Sequence, residues 1–238
     1  MEKTPTISCV IPVYNQGQFL GSAISSLLDQ TVKPLEIICV NDGSTDNSLE
    51  VAKTFENRIR IINQVNKGLP SARNTGIMWA TGDFVLFLDA DDILLETAIE
   101  KITEVVEKTG ADIISPSLKC FGLANDEIIL IDNPTIEDFK VANRVGYCSA
   151  VKREVLLEVG AYSPRMTFGY EDLHLWFDLL SRGKKLVTIP EVLWLYRTKE
   201  KSMIHDAQAH HVELMAQIAK DFPQIFPEFV EIKTPLPK

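Results

Sequence analysis

Four short apolar runs punctuate the first half of the chain: 6–13 (TISCVIPV), 35–40 (LEIICV), 59–63 (IRIIN) and 83–88 (DFVLFL). Runs of this length that lack a polar face suit strands covered on both sides by helices. The stretches between them have helical character. Residues 17–30 carry apolar positions at helical spacing, and Ser44 to Asp46 offer caps for a helix that runs to about Phe55. Residues 70–80 (PSARNTGIMWA) and 95–108 read as further helices, and 112–117 as a fifth strand. This βαβαβαβ order predicts an α/β fold, an open, mainly parallel sheet with helices on both faces. Ligands in such sheets bind beyond the carboxyl ends of the strands. Asn41 and Asp42 end the second run there, and Asp89, Asp91 and Asp92 end the fourth.

The second half is less regular. Residues 120–146 mix short strand-like runs with Pro and Asn turns. Residues 152–160 read as a helix ending at Gly160, and 171–183 as a strong helix with Gly183 past its end. An extended segment over 186–196 is broken by Pro190, 205–221 is helical again, and the tail is Pro-rich. No linker splits the chain, and 238 residues suffice for one domain with a full core.

The net charge of −9 argues against a nucleic-acid polymer as partner. It leaves room for a single nucleotide, because a local site or a cation can reverse the local field. Cys9, Cys39, Cys120 and Cys148 are too widely spaced for a zinc site, and Cys9 and Cys39 lie inside apolar runs as core thiols. The opening MEKTPTISCV does not read as a signal peptide, and no apolar run is long enough to span a bilayer. A cytoplasmic location is expected, with peripheral attachment to the inner face of the membrane left open.

Asp89-Ala90-Asp91-Asp92 follows the apolar strand FVLFL. Carboxylates crowded together repel one another, and a hard cation such as Mn²⁺ or Mg²⁺ relieves the repulsion while it binds diphosphate oxygens. The competing reading is a solvated turn that caps the next helix through Asp92. Asp42, before Gly43 at a strand end, suits a base N–H or ribose hydroxyls, or a purely structural turn. Asp46 reads as a helix-start residue. Arg73, one turn into the helix opened by Pro70, either reaches a base or phosphate or is an ordinary surface arginine. Glu171 and Asp172 open the helix EDLHLWFDLLSRG. They either answer the helix dipole or present one carboxylate to a cleft as a proton acceptor, with Phe168-Gly169-Tyr170 shaping that cleft.

Six ordered motifs combine these residues: VIPVYN at 10–15, VNDGSTD at 40–46, GLPSARNTG at 68–76, FLDADD at 87–92, GYEDLHLW at 169–176 and YRTKEKSM at 196–203. In this order the chain resembles the inverting family 2 glycosyltransferases, over roughly residues 6–203. The resemblance implies a GT-A type, Rossmann-like open mixed sheet. Residues 1–118 would form the nucleotide-sugar-binding half and 119–238 the acceptor-binding half of one domain. Pro12, Val13 and Tyr14 would line the nucleoside pocket. Asp42 would bind the base, typically uracil, and Arg73 would help hold the nucleotide. Asp89 would contact the ribose or donor sugar, and Asp91, with Asp89 beside it, would hold Mn²⁺ or Mg²⁺ at the diphosphate. Asp172 would be the catalytic base, with Glu171 beside it in the catalytic pair, contacting donor or acceptor. The partners implied are a nucleotide-sugar donor, probed first with UDP, and a glycan, lipid-linked or other hydroxyl acceptor.

Two positions depart from the family pattern. Relatives commonly carry a His two residues after the Tyr-Arg pair as a metal or phosphate ligand, and Lys199 stands there; a protonated ammonium cannot ligate a cation but can pair with the diphosphate directly, which makes Lys199 a candidate phosphate-binding residue, and His205 is a nearby substitute for the ligand. His174 stands where an acidic residue is common, and either alters acceptor contacts or lies on the helix surface. A nucleotidyltransferase would need a basic loop after the first strand, and PVYNQGQF has no Lys or Arg. A degenerate domain that binds without turnover is opposed by the joint presence of Asp42, Asp89, Asp91 and Asp172. The tail is compatible with a linker or docking segment of a larger protein.

Overall fold

In the computed structural model, which describes residues 4–200 and 203–227, the four apolar runs form β1 (Ile7–Val13), β2 (Glu36–Asp42), β3 (Arg60–Gln64) and β4 (Phe84–Phe87). They lie side by side in parallel, in the order β3-β2-β1-β4. The crossovers contain α1 (Gly17–Leu28), α2 (Ser48–Lys53) and α3 (Leu69–Trp79). Every residue of β1 is buried, as its unbroken apolar run requires.

The expected fifth strand does not extend this parallel set. After β5 (Ile93–Leu94) and α4 (Ala98–Thr109), β6 (Ile113–Gly122) lies one strand away from β4. The later strand β8 (Ala150–Lys152) sits between them, antiparallel to both. β6 then pairs in parallel with β9 (Leu186–Thr198), and β9 pairs antiparallel with β5. A short β7 (Glu127–Ile128) pairs with β6 off this path. The result is an open, mixed, mainly parallel sheet. The remaining helices are α5 (Ile136–Val141), α6 (Arg153–Glu158), α7 (Glu171–Ser181), α8 (Met203–Ala209) and α9 (His211–Asp221). β6 runs across residue 118, so the backbone is continuous strand between the two expected halves.

Several local expectations are corrected. The second helix begins at Ser48 rather than at Ser44, whose hydroxyl accepts from Asn15 N at 3.0 Å and serves the loop after β1. The Asp46 carboxylate accepts from Gly17 N at 3.0 Å and Ser48 N at 2.9 Å, so it caps the starts of both α1 and α2. Pro190 does not break β9. Ile189 pairs with Pro116 and Val192 with Ser117, so Pro190 and Glu191 stand in a bulge where a missing N–H is tolerated. Residues 93–94 join the sheet, which delays α4 to Ala98 and removes Asp92 from any capping role. The helical stretch at 205–221 is two helices that meet at His210.

All four cysteines are buried and unbonded. Among the described residues no helix is long and apolar enough to cross a membrane. The first three residues, Lys201 and Ser202 of the last motif, and the Pro-rich tail from 228 lie outside the described residues.

Candidate active site

The carboxyl ends of β1 and β2 are tied together by their own loops. Pro12 and Val13 are buried and pair with Val40 and Asn41, while Tyr14 emerges just past the strand with 48% of its surface exposed. Asn15 adopts a left-handed φ of 53° and accepts from Thr45 N at 2.8 Å through its side chain. Gly43 has φ of 71°, and a Cβ there would lie 2.7 Å from Asn66 N. The turn therefore excludes other residues by conformation and by space. Asp42 is 2% exposed. Its carboxylate accepts from Gln64 Nε2 at 2.6 Å, Lys67 N at 2.9 Å and Gly68 N at 2.9 Å, which fixes the loop leading into α3. A carboxylate has about four acceptor positions, so these three bonds leave one unused.

Arg73 is the centre of the site, and it is no surface arginine: it is 1% exposed. Its Nη1 donates to Glu171 Oε1 at 2.6 Å and its Nη2 to Asp89 Oδ1 at 2.9 Å. The rings of Tyr147, Tyr162 and Phe87 surround the guanidinium, with centroids 4.9, 5.3 and 6.0 Å away. A planar, permanently charged fork suits this double pairing between aromatic faces. Burial acts to lower the Arg73 pKa, but the carboxylates of Asp89 and Glu171 more than compensate and hold it well above its usual value. Burial pushes Asp89 up to about 6, against the pull of Arg73. A quarter of the Asp89 side chain still reaches solvent, which limits that push.

Asp92 is buried, and burial raises its pKa, helped by Asp91 and Asp89. It accepts from the Tyr147 hydroxyl and from Arg197 N at 2.6 Å. The same hydroxyl accepts from Asp89 N at 3.2 Å. The Arg197 side chain lies between the rings of Phe19 and Phe121, each 4.2 Å away, and its Nε donates to Asp91 O at 2.8 Å. The end of β9 thus braces the acidic turn after β4.

α7 delivers the other two carboxylates. Gly169 (φ 126°) and Tyr170 (φ 59°) turn the chain sharply into the helix, and the Tyr170 hydroxyl meets His211 Nδ1 at 2.9 Å. Phe168 stacks on His210 with ring centroids 4.0 Å apart. Glu171 is buried on Arg73, whereas Asp172 is half-buried and accepts from Asn143 Nδ2 at 2.9 Å. Burial raises the pKa of both, with Arg73 opposing. His174 does not lie on the helix surface. It is buried against Phe222 and meets Asp221 at 3.0 Å, so it anchors α9, and burial lowers its pKa.

The structure thus brings Arg73, Asp89, Asp91, Glu171 and Asp172 to one edge, with Pro12, Val13, Tyr14 and Asp42 at the neighbouring strand ends. Tyr147, Tyr162 and Asn143 were not singled out from the sequence. They come from the irregular stretch after β6, where no motif marks them and only the fold brings them to the site.

A divalent cation can be tested against these residues. Among the described residues no three His, Cys, Asp or Glu side chains form a ready-made cage, and His205 sits on the exposed side of α8. Asp92 is committed to Tyr147 and Arg197. Asp91 and Asp89 are the carboxylates of this turn that reach solvent, with side chains 16% and 25% exposed. That pair fits a hard cation that takes one or two carboxylates and completes its shell with phosphate oxygens and water. Lys199, just beyond β9, forms an ion pair with Asp91.

The family model described as "Glycosyl transferase family 2" matches residues 8–160. The glycosyltransferase GlyG of Streptococcus pneumoniae is 30% identical over 92% of this chain and 78% of its own length. Other curated glycosyltransferases match at 43%, 43% and 41% identity, but there the chain spans only 33%, 34% and 16% of their length. Among solved structures, Staphylococcus aureus TarS 1–349 in complex with UDP-GlcNAc superposes with a TM-score of 0.78 at 17% identity, covering 92% of this chain and 66% of that one. The mannosyltransferase PcManGT of Pyrobaculum calidifontis, in complex with GDP-Man and Mn²⁺, superposes with a TM-score of 0.71 at 19% identity, covering 94% and 68%.

Proposed function

The chain belongs to glycosyl transferase family 2, and from that premise we propose that it transfers a sugar from a nucleotide-diphosphate sugar, with uracil as the base, to an acceptor hydroxyl with inversion. The observation that carries this reading is the Arg73 bridge. It ties Asp89, at the end of β4, to Glu171, the neighbour of Asp172, so a donor-side carboxylate and a proton acceptor share one edge. Residues 1–118 hold the donor and 119–238 the acceptor.

In this reading Pro12, Val13 and Tyr14 line the nucleoside, and the remaining acceptor position of Asp42 receives a base N–H. Asp89 receives a ribose or sugar hydroxyl. Arg73 acts on the nucleotide through Asp89, since its own guanidinium is enclosed. Asp172 takes the proton of the acceptor hydroxyl as its oxygen attacks the anomeric carbon from the face opposite the diphosphate. The bond from that carbon to the diphosphate oxygen breaks, the nucleoside diphosphate leaves, and an α-linked donor gives a β-linkage. One protein base suffices because the leaving group departs as a diphosphate and needs no proton, unlike the alcohol released in glycoside hydrolysis. Asp91 and Asp89 would hold Mn²⁺ or Mg²⁺, which when bound supplies charge to the departing diphosphate. The acceptor is a glycan, lipid-linked or other hydroxyl in surface glycan or polysaccharide synthesis.

The test pairs binding with turnover. Asp172→Asn should keep calorimetric affinity for UDP while transfer, or slow hydrolysis of a UDP-sugar, falls by about 10²–10⁴-fold. Loss of nucleotide affinity together with turnover would remove Asp172 from the role of base. Binding without consumption of any UDP-, GDP- or dTDP-sugar by the unmutated protein would leave a binding domain without turnover.

A further inference from the structure

We propose that Lys199 is a built-in counter-ion which competes with the divalent cation for Asp91 and moves to the diphosphate when the donor arrives. The Lys199 ammonium is paired with the carboxylate of Asp91, whose side chain reaches solvent at the acidic turn. Asp89 has Arg73, and Asp92 has Tyr147 and Arg197, so Lys199 completes a set in which each carboxylate of the turn has a protein partner. The backbone that carries Lys199 is also anchored beside this turn. It follows directly on β9, whose Arg197 is held between Phe19 and Phe121, and Lys199 Nζ lies 5.7 Å from the centre of the Phe19 ring. Of the three pairs, Asp91–Lys199 is the one with both side chains partly in solvent, 16% and 26% exposed.

Two consequences follow from elementary electrostatics. An ammonium carries no lone pair for a metal while protonated, and it repels a second cation approaching the same carboxylate. The free protein therefore holds Mn²⁺ weakly, and the cation enters together with the diphosphate, whose charges offer the ammonium a new partner. For the same reason a nucleoside diphosphate keeps part of its affinity without any divalent cation, because Lys199 supplies positive charge at the phosphates. This second consequence rests on the nucleotide-sugar reading; the first does not.

The experiment has two arms on the full chain, with Lys199→Met, which keeps an apolar stem over Phe19, and Lys199→Arg, which keeps the charge. In the first, Mn²⁺ alone is titrated and free Mn²⁺ is followed by electron paramagnetic resonance. Lys199→Met should bind Mn²⁺ about tenfold more tightly than the unmutated protein, and Lys199→Arg should not. Equal Mn²⁺ affinity in all three would overturn the competition. In the second, UDP is titrated calorimetrically in EDTA. The unmutated protein should bind, and Lys199→Met should bind about tenfold more weakly, with added Mn²⁺ closing most of the gap. UDP binding by the unmutated protein that vanishes in EDTA would overturn the role of Lys199 at the diphosphate while leaving the donor reading intact. No UDP binding under any condition would overturn the donor reading and this second role with it, and the first arm would still decide the competition.

Discussion

Arg73 meets the strictest demand placed on any residue at the site, because a buried guanidinium and two carboxylates are stable only as a set. Removing one member leaves uncompensated charge in a low-dielectric surround. Arg73→Met is therefore expected to cost about 3–5 kcal/mol in urea unfolding. Arg73→Lys should recover only part, since an ammonium cannot reproduce the planar fork that reaches Asp89 and Glu171 together. Asp91→Ala should abolish the metal-dependent part of UDP affinity; calorimetry unchanged by the substitution would exclude it as a ligand. The pH profile follows from the role proposed for Asp172. A base works only when ionised, and burial raises the Asp172 pKa, so turnover should fall with decreasing pH through a value above the ordinary carboxylate range. Arg73 pulls that value down, so Arg73→Met should move the acid limb to higher pH. The carboxylates were legible in the sequence because they cluster at strand and helix ends. Asn143, Tyr147 and Tyr162 were not, because each acts through long-range contacts; Asn143 meets Asp172 across 29 residues and Tyr147 meets Asp92 across 55.

At the scale of elements, the entry to α7 decides where Asp172 points. Two successive left-handed residues are an unusual way to start a helix, and Tyr170 holds such a conformation at about 1–3 kcal/mol. A Cβ on Gly169 would lie 2.6 Å from the Ala207 Cβ, so Gly169→Ala must push α8 away or unwind the turn. It should lower kcat more than nucleotide affinity, and equal losses in both would contradict a role in aiming Asp172. Asp46→Ala removes acceptors from the starts of two helices and should cost about 1–2 kcal/mol in unfolding free energy. The helical periods of α1, α3, α4 and α7 were readable from sequence. The start of α2 was not, since Ser44 and Asp46 look like caps whether they bond a helix or a neighbouring loop. Pro190 misled for a related reason: a proline ends a regular ladder but sits comfortably in a bulge.

At the scale of the molecule, the parallel half of the sheet was legible and the mixed half was not. β1 to β4 announce themselves as apolar runs in chain order, whereas β8 is three residues long and takes its place between β4 and β6 only through long-range pairing. That insertion makes the two halves interdependent. A fragment ending at residue 118 would lack β8 and β9, the neighbours of β6, and leave the outer edge of β4 bare. It should therefore show poorly dispersed amide resonances and no cooperative melt, while the full chain unfolds in one transition; a well-dispersed, cooperative fragment would contradict this. The central claim, sugar transfer by one protein base with inversion, is tested most directly by proton NMR of UDP-α-sugars turned over by the protein with water or a simple acceptor. The β-anomer should appear first, with the signal abolished by Asp172→Asn. An α-anomeric product formed first, or turnover undiminished in Asp172→Asn, would contradict the account.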